Sequence, residues 1–102
     1  MGGKSESGTY PNVLHGHALA VVLFNNLSTI PVSSFQCPND ADEKAKFALE
    51  IERVFREKAP ASWKGDETRE NQVLNALFPL LGRDREATRA VFEIIKNQPG
   101  QT

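Results

Sequence analysis

Apolar residues recur every three or four positions in four stretches of the chain, which is the period of an amphipathic α-helix. The stripes predict a first helix over 11–27 and three more that begin after Asp40, after Asp66 and after Asp84. Their apolar positions, in chain order, are Leu19, Val22, Leu23 and Leu27; Phe47, Ile51, Val54 and Phe55; Val73, Leu74, Leu77, Phe78 and Leu81; and Ala87, Val91, Ile94 and Ile95. No stretch alternates as a strand would, so the predicted fold is all-α, a small bundle of about four helices.

Short polar residues, prolines and a glycine mark the predicted helix ends. Each of the three aspartates can accept a hydrogen bond from the first turn of the helix that follows it. Pro60 ends the second helix, because the residue before a proline avoids helical geometry. Pro79 lies inside the third stripe, so we expect a kink or an end near Phe78. Gly82 marks the stop that follows.

The chain divides into three predicted parts. Residues 1–10 are rich in glycine and serine and are predicted to be a disordered tail. Residues 11–98 form the helical module, and 99–102 are a frayed C-terminus. Within the module, the connection at 28–39 has two prolines and little periodicity. We expect it to pack on the core as a loop through its apolar residues, which are Ile30, Val32 and Phe35.

Charge and apolar content argue against several classes of protein. The formal net charge is −1 and neither half of the chain is strongly basic, so general adhesion to nucleic acid or anionic membrane is not indicated. The longest apolar run, around 18–24, is too short to span a bilayer. No basic segment precedes it as in a signal peptide. Cys37 is the only cysteine and has no intrachain disulfide partner. These features predict a cytoplasmic protein.

Few residues are of the types that carry chemistry. His15 and His17 would diverge by about 200° on a helix, and no cysteine or carboxylate cluster lies beside them in sequence. Cys37 lies in a loop without an assigned base, which a nucleophile needs. We therefore predict no catalytic residue, no metal site and no cofactor. An enzyme that uses His15 or His17 as general base is a minor alternative.

Trp63, the only tryptophan, lies in the predicted loop between the second and third helices. One interpretation is that its ring covers the small core. The other is that it anchors a partner protein, because aromatic and arginine side chains dominate the energetics of interfaces. Lys64 beside it and Arg69 on the next helix would then supply charged contacts at the rim.

Arg83, Arg85 and Arg89 form the densest basic group in the chain. Arg85 and Arg89 are four residues apart and share one face of the predicted helix, so they could bind a phosphate or a carboxylate. The alternative is that these arginines form ordinary ion pairs with the neighbouring acids, which are Asp84, Glu86 and Glu93.

Several short motifs follow one another in a recognisable order. They are Tyr-Pro at 10–11, Asn-Asn-Leu at 25–27, Trp-Lys-Gly at 63–65, the apolar start of the third stripe at 73–76, and Phe-Glu-Ile-Ile-Lys-Asn-Gln at 92–98. In this order they resemble the extreme C-terminal region of the restriction (motor) subunits of type I restriction-modification enzymes. The resemblance spans 10–98.

The resemblance implies a place in a large cytoplasmic complex. In that family a nuclease domain and two ATP-driven helicase domains precede a C-terminal helical region. That region is associated with docking onto the methyltransferase core, which consists of modification and specificity subunits. This chain has no phosphate-binding loop, helicase motif or nuclease site, so we expect no catalysis from it in isolation, whether it is a fragment or a stand-alone copy.

The expected function is therefore a non-catalytic docking module, in which Trp63 and exposed apolar residues of the kinked third helix bury against a partner. The three arginines would orient that contact, and DNA would be involved only indirectly. The alternative is a small DNA-binding helical domain whose phosphate contacts are Lys64, Arg69, Arg83 and Arg85. The isolated chain could also self-associate through an apolar face.

Overall fold

The computed structural model describes residues 12–30 and 34–98, and within them the chain is all-α and contains no strand. This confirms the predicted fold class. The four α-helices of these residues are α1 (Ala18–Asn26), α2 (Ala41–Lys58), α3 (Glu67–Leu77) and α4 (Arg85–Lys96). Short 3₁₀ segments lie at Asn12–Leu14, Leu27–Thr29 and Phe78–Leu81. The predicted tail at 1–10, the C-terminus at 99–102 and Val32 lie outside the described residues.

The start of the chain's first helix differs from the prediction. A 3₁₀ turn at Asn12–Leu14 and a separate α1 take the place of one continuous helix from residue 11. Gly16 lies between them with φ of +83°, a left-handed conformation that a helix cannot contain and that glycine adopts without steric cost. The turn is held to the core by Leu14, which is fully buried.

Aspartate caps begin the other three helices, as predicted. Asp40, Asp66 and Asp84 each accept a hydrogen bond from the backbone N–H three residues later, at 3.0, 3.1 and 3.0 Å. Such a cap satisfies one of the N–H groups that have no partner inside the helix. The caps therefore fix where α2, α3 and α4 begin.

The predicted end of the third helix is also confirmed. α3 stops at Leu77, and Phe78–Leu81 continues as a tighter 3₁₀ turn that contains Pro79. Gly82 then takes a left-handed conformation with φ of +66°, and the next residue, Arg83, follows with φ of +56°. The reversal turns the chain so that α4 packs back on α3.

The four helices form a closed arrangement in which α1 packs on α2, α2 on α3, and α4 on both α3 and α1. The α2 stripe is rotated from the prediction: Phe47 and Val54 are only half-buried, whereas two alanines and a glutamate are buried. The buried residues of α2 are Ala45, Ala48, Ile51, Glu52 and Phe55.

The described parts of the connection before α2 pack on the core and form no strand, as predicted. Ile30 and Phe35 are buried, and the ring of Phe35 stacks on that of Phe47 at 5.4 Å between centroids. The backbone N–H groups of Ser34 and Phe35 both donate to Oδ2 of Asp84, at 2.7 and 3.1 Å. Asp84, which caps α4, thus also fixes the loop that precedes α2.

Most large apolar residues in the part of the chain that the structure describes are buried or half-buried. Val13 is the only large apolar residue there that is exposed, at 46%. None of the helices in these residues has both the length and the apolar character that a membrane span needs. Self-association through an apolar face stays a prediction.

Candidate interaction groove between α3 and α4

Trp63 is a core residue, which corrects its predicted role as an anchor for a partner. Its side chain is 1% exposed. The indole ring lies edge-to-face against Phe55 of α2 and Phe92 of α4, at 5.6 and 5.5 Å between centroids. A ring enclosed in this way cannot reach a partner unless the fold opens. The first of the two interpretations, that Trp63 covers the core, matches the structure.

Lys64 and Arg69 hold the tryptophan loop in place. The Lys64 ammonium donates to the backbone carbonyl of Gln98 at 2.8 Å, and the Arg69 guanidinium donates to that of Ala61 at 2.6 Å. Arg69 also lies 3.9 Å from the carboxylate of Asp66. Both cations therefore bind groups of this chain. Their position beside Trp63 is explained by these bonds and needs no contact with a partner protein.

Arg85 and Arg89 lie together on one surface feature, a groove of about 350 Å³ between α3 and α4. Leu74 and Phe78, both half-buried, provide its apolar side chains. The polar residues around them come from both helices and are Asn71, Asn75, Arg85, Thr88 and Arg89. We call this set of seven residues the α3–α4 groove.

The α3–α4 groove carries a local charge of opposite sign to that of the whole chain. Its lining has two arginines and, among the described residues, no acid. Arg85 makes no ion pair with any described residue, and its guanidinium lies 5.8 Å from the centre of the Phe78 ring. Arg89 lies 4.0 Å from the Glu93 carboxylate, at the limit of an ion pair. Arg85 is thus available to an anionic group, and Arg89 is held only by this long contact.

The third arginine of the basic group stands apart from this groove. Arg83 is exposed at the left-handed turn before α4 and is not one of the seven lining residues. Of its acidic neighbours, Asp84 is 4% exposed and is committed to capping α4 and to the preceding loop. The alternative of ordinary ion pairs therefore holds for Arg89 with Glu93 only.

The histidines and the cysteine do not converge on a reactive site. His15 is exposed, and Nδ1 of His17 is 2.9 Å from Oε1 of Glu52. Burial raises the pKa of the Cys37 thiol, which opposes formation of the thiolate that a nucleophile requires. No group of three histidine, cysteine, aspartate or glutamate residues within the described ranges could hold a metal ion.

Sequence reasoning missed the buried carboxylate of Glu52 and the two asparagines of the groove. Glu52 is 4% exposed on α2, and its second oxygen lies 3.2 Å from Arg56. Its burial depends on how α1 packs over α2, which no single-helix pattern contains. Asn71 and Asn75 are four residues apart on α3, so their shared face was a readable signal.

Comparison of the chain with protein-family models, curated proteins and solved structures gives no match. The resemblance to type I motor subunits accordingly rests on the order of the short motifs.

Proposed function

We propose that this chain is a helical docking module of a type I restriction-modification motor subunit and that it contacts the methyltransferase core. The proposal joins the ordered motifs at 10–98 to the α3–α4 groove. It assigns the chain an assembly role without catalysis of its own, in the cytoplasm, with the modification and specificity subunits as partners.

The observation that carries the docking role is the composition of the groove. Leu74 and Phe78, both half-buried, supply apolar surface inside a concave feature of the module. Arg85 and Arg89 add charged groups at the same place. Protein interfaces combine an apolar centre with arginines and a polar rim in this way.

The DNA-binding alternative is less favoured by the positions of its four cations. Lys64 and Arg69 are bonded to backbone carbonyls of the tryptophan loop and of the segment after α4. A domain that binds DNA through phosphates needs several cations on one surface. Only Arg85 of the four lines the α3–α4 groove.

Size-exclusion chromatography with light scattering tests the docking role. The chain is run alone and then mixed with a purified methyltransferase core of a type I enzyme, in the absence of DNA. We expect co-elution at a mass equal to the sum of the two. A folded, monomeric chain that elutes separately from the core at micromolar concentrations would contradict the proposal.

A second experiment separates docking from DNA binding. The chain is titrated with a fluorescent duplex at several salt concentrations. Phosphate contacts would give an affinity that falls steeply as salt rises. We expect no binding at physiological salt. Steeply salt-dependent binding, together with failure to co-elute with the core, would favour the DNA-binding alternative.

A further inference from the structure

We propose that the α3–α4 groove binds an acidic, partly apolar peptide segment of the partner. Carboxylates of the segment would pair with Arg85 and Arg89, and an apolar side chain beside them would lie on Leu74 and Phe78. This inference rests on the proposed docking function for its biological setting, and it specifies the chemistry of the ligand that the groove selects.

The spacing of the two arginines defines the spacing of the carboxylates. Arg85 and Arg89 are one turn apart on α4, about 6 Å along the helix axis. Two carboxylates at positions i and i+4 of a partner helix have the same separation, and each can accept two hydrogen bonds from one guanidinium. No acid is among the residues that line the groove, and the nearest carboxylate to Arg89 is that of Glu93, at 4.0 Å.

The position of Arg85 in α4 is a second indication of an anionic ligand. Arg85 is the first residue of the helix, where the helix dipole disfavours a cation. Arg83 lies two residues before it, so the region carries two arginines without ion-pair partners among the described residues. A carboxylate bound by Arg85 would add to the two acids already at this end of α4, Asp84 and Glu86, in offsetting its charge.

The rest of the lining favours a peptide over a phosphate backbone. Leu74 and Phe78 offer apolar contact that a phosphodiester does not use. Asn71 and Asn75 each carry a donor and an acceptor, which match the N–H and C=O groups of a peptide or its polar side chains. A phosphate offers acceptors alone, so the amide oxygens of the two asparagines would have no donor to pair with.

Fluorescence anisotropy with the full chain tests the inference. The probe is a labelled, helix-stabilised peptide with glutamates at positions i and i+4 and a leucine at i+3, beside them on the same side of the helix. We expect saturable binding, at least tenfold weaker in the double variant Arg85→Glu/Arg89→Glu. The same peptide with glutamines in place of the glutamates should lose at least tenfold in affinity.

A charge-matched variant outside the groove serves as control. Lys46→Glu/Lys58→Glu makes the same change in net charge at two exposed positions of α2. It should bind the peptide within twofold of the unaltered chain, and circular dichroism should show all variants helical. Equal loss in the two double variants, or equal binding of the glutamine peptide, would overturn the inference.

The two proposals fail in different ways. If the unaltered chain and Arg85→Glu/Arg89→Glu both co-elute with the methyltransferase core, docking stands and the groove is not the binding site. If the acidic peptide binds in the groove but the core does not co-elute, the inference stands and the proposed partner is wrong. Tighter binding of a duplex DNA probe than of the peptide, lost in the same double variant, would overturn the inference.

Discussion

Asp84 joins two distant parts of the chain through the two oxygens of one carboxylate. Oδ1 accepts the backbone N–H of Ala87 in the first turn of α4. Oδ2 accepts the N–H groups of Ser34 and Phe35, about fifty residues earlier in the chain. The side chain is almost fully buried, so water cannot replace these bonds when it is removed.

Replacing Asp84 should therefore lower the free energy of unfolding by more than the removal of an ordinary helix cap does. We expect Asp84→Ala to lower the free energy of unfolding by about 3 kcal/mol, because it leaves buried N–H groups without partners. Asp66→Ala, which removes an exposed cap of the same geometry, should cost about 1 kcal/mol. Urea unfolding followed by circular dichroism measures both. Equal costs would show that the bonds to the loop contribute nothing.

Trp63 gives a second prediction at the scale of one side chain. Because the ring fills the core between Phe55 and Phe92, we expect Trp63→Ala to cost about 3–5 kcal/mol. A domain of this size has about 5–15 kcal/mol in total, so the variant should melt at a much lower temperature. Val13→Ala, at an exposed position, is the control and should change little.

Thermal melts that leave Trp63→Ala as stable as the control would restore the interpretation of Trp63 as a surface anchor. The sequence left the two roles open because a tryptophan in a short loop between helices suits either. The decision depends on where α2 and α4 bring their phenylalanines, which is a property of the packed bundle.

At the scale of elements, Glu70 connects α3 to the tryptophan loop and to α4. Its carboxylate accepts the backbone N–H of Gly65 at 2.7 Å and lies 3.0 Å from the ammonium of Lys96. Two hydrogen bonds hold the pKa of Glu70 below its ordinary value of 4.5, and the one from Gly65 has a larger effect than the one from Lys96. Folding therefore favours the ionised form of this group.

This pKa shift predicts a loss of stability in acid. A carboxyl group whose pKa is lower in the folded state adds to the free energy of unfolding. This stabilisation is complete above the pKa of the unfolded state and is lost as pH falls through the pKa of the folded state. We expect Glu70→Gln to be less stable than the unaltered chain at pH 7, with the difference shrinking below about pH 4.5. Unfolding curves at a series of pH values test this, and a difference independent of pH would contradict it.

A substitution of Arg85 should show that the first residue of α4 is not the one that makes the helix most stable. A glutamate at the first position of a helix is favoured by the dipole, so Arg85→Glu should raise the free energy of unfolding by about 0.3–1 kcal/mol. Arg89→Glu, one turn further on and beside Glu93, should give no such gain. Denaturant unfolding of both variants provides the comparison, and a loss of stability in Arg85→Glu would contradict the argument.

Local chemistry predicted most helix boundaries because each boundary has a local cause. The caps at Asp40, Asp66 and Asp84 and the stop at Gly82 depend on residues within one turn of the chain. The predicted start of the first helix was wrong. The spacing of apolar residues does not reveal the conformation of a glycine, and Gly16 adopts a left-handed conformation that a helix cannot contain. The buried position of Glu52 depends on contacts between helices.

At the scale of the whole molecule, the four helices enclose one core and leave the α3–α4 groove at its surface. The shared face of Arg85 and Arg89 was predicted from their spacing in the sequence. Their position opposite Asn71 and Asn75 was not, because it depends on the turn at Phe78–Leu81 that sets α4 against α3. The groove is therefore a product of topology.

The measurement that tests the central claim most directly is site-specific photo-crosslinking to the methyltransferase core. A photoreactive amino acid is placed in the groove at Asn75 and, as a control, at Lys46 on the exposed face of α2. We predict a crosslink to the core from the Asn75 position, lost on adding excess acidic peptide, and none from the Lys46 position. Crosslinking from Lys46 but not from Asn75 would show that the chain docks through another surface.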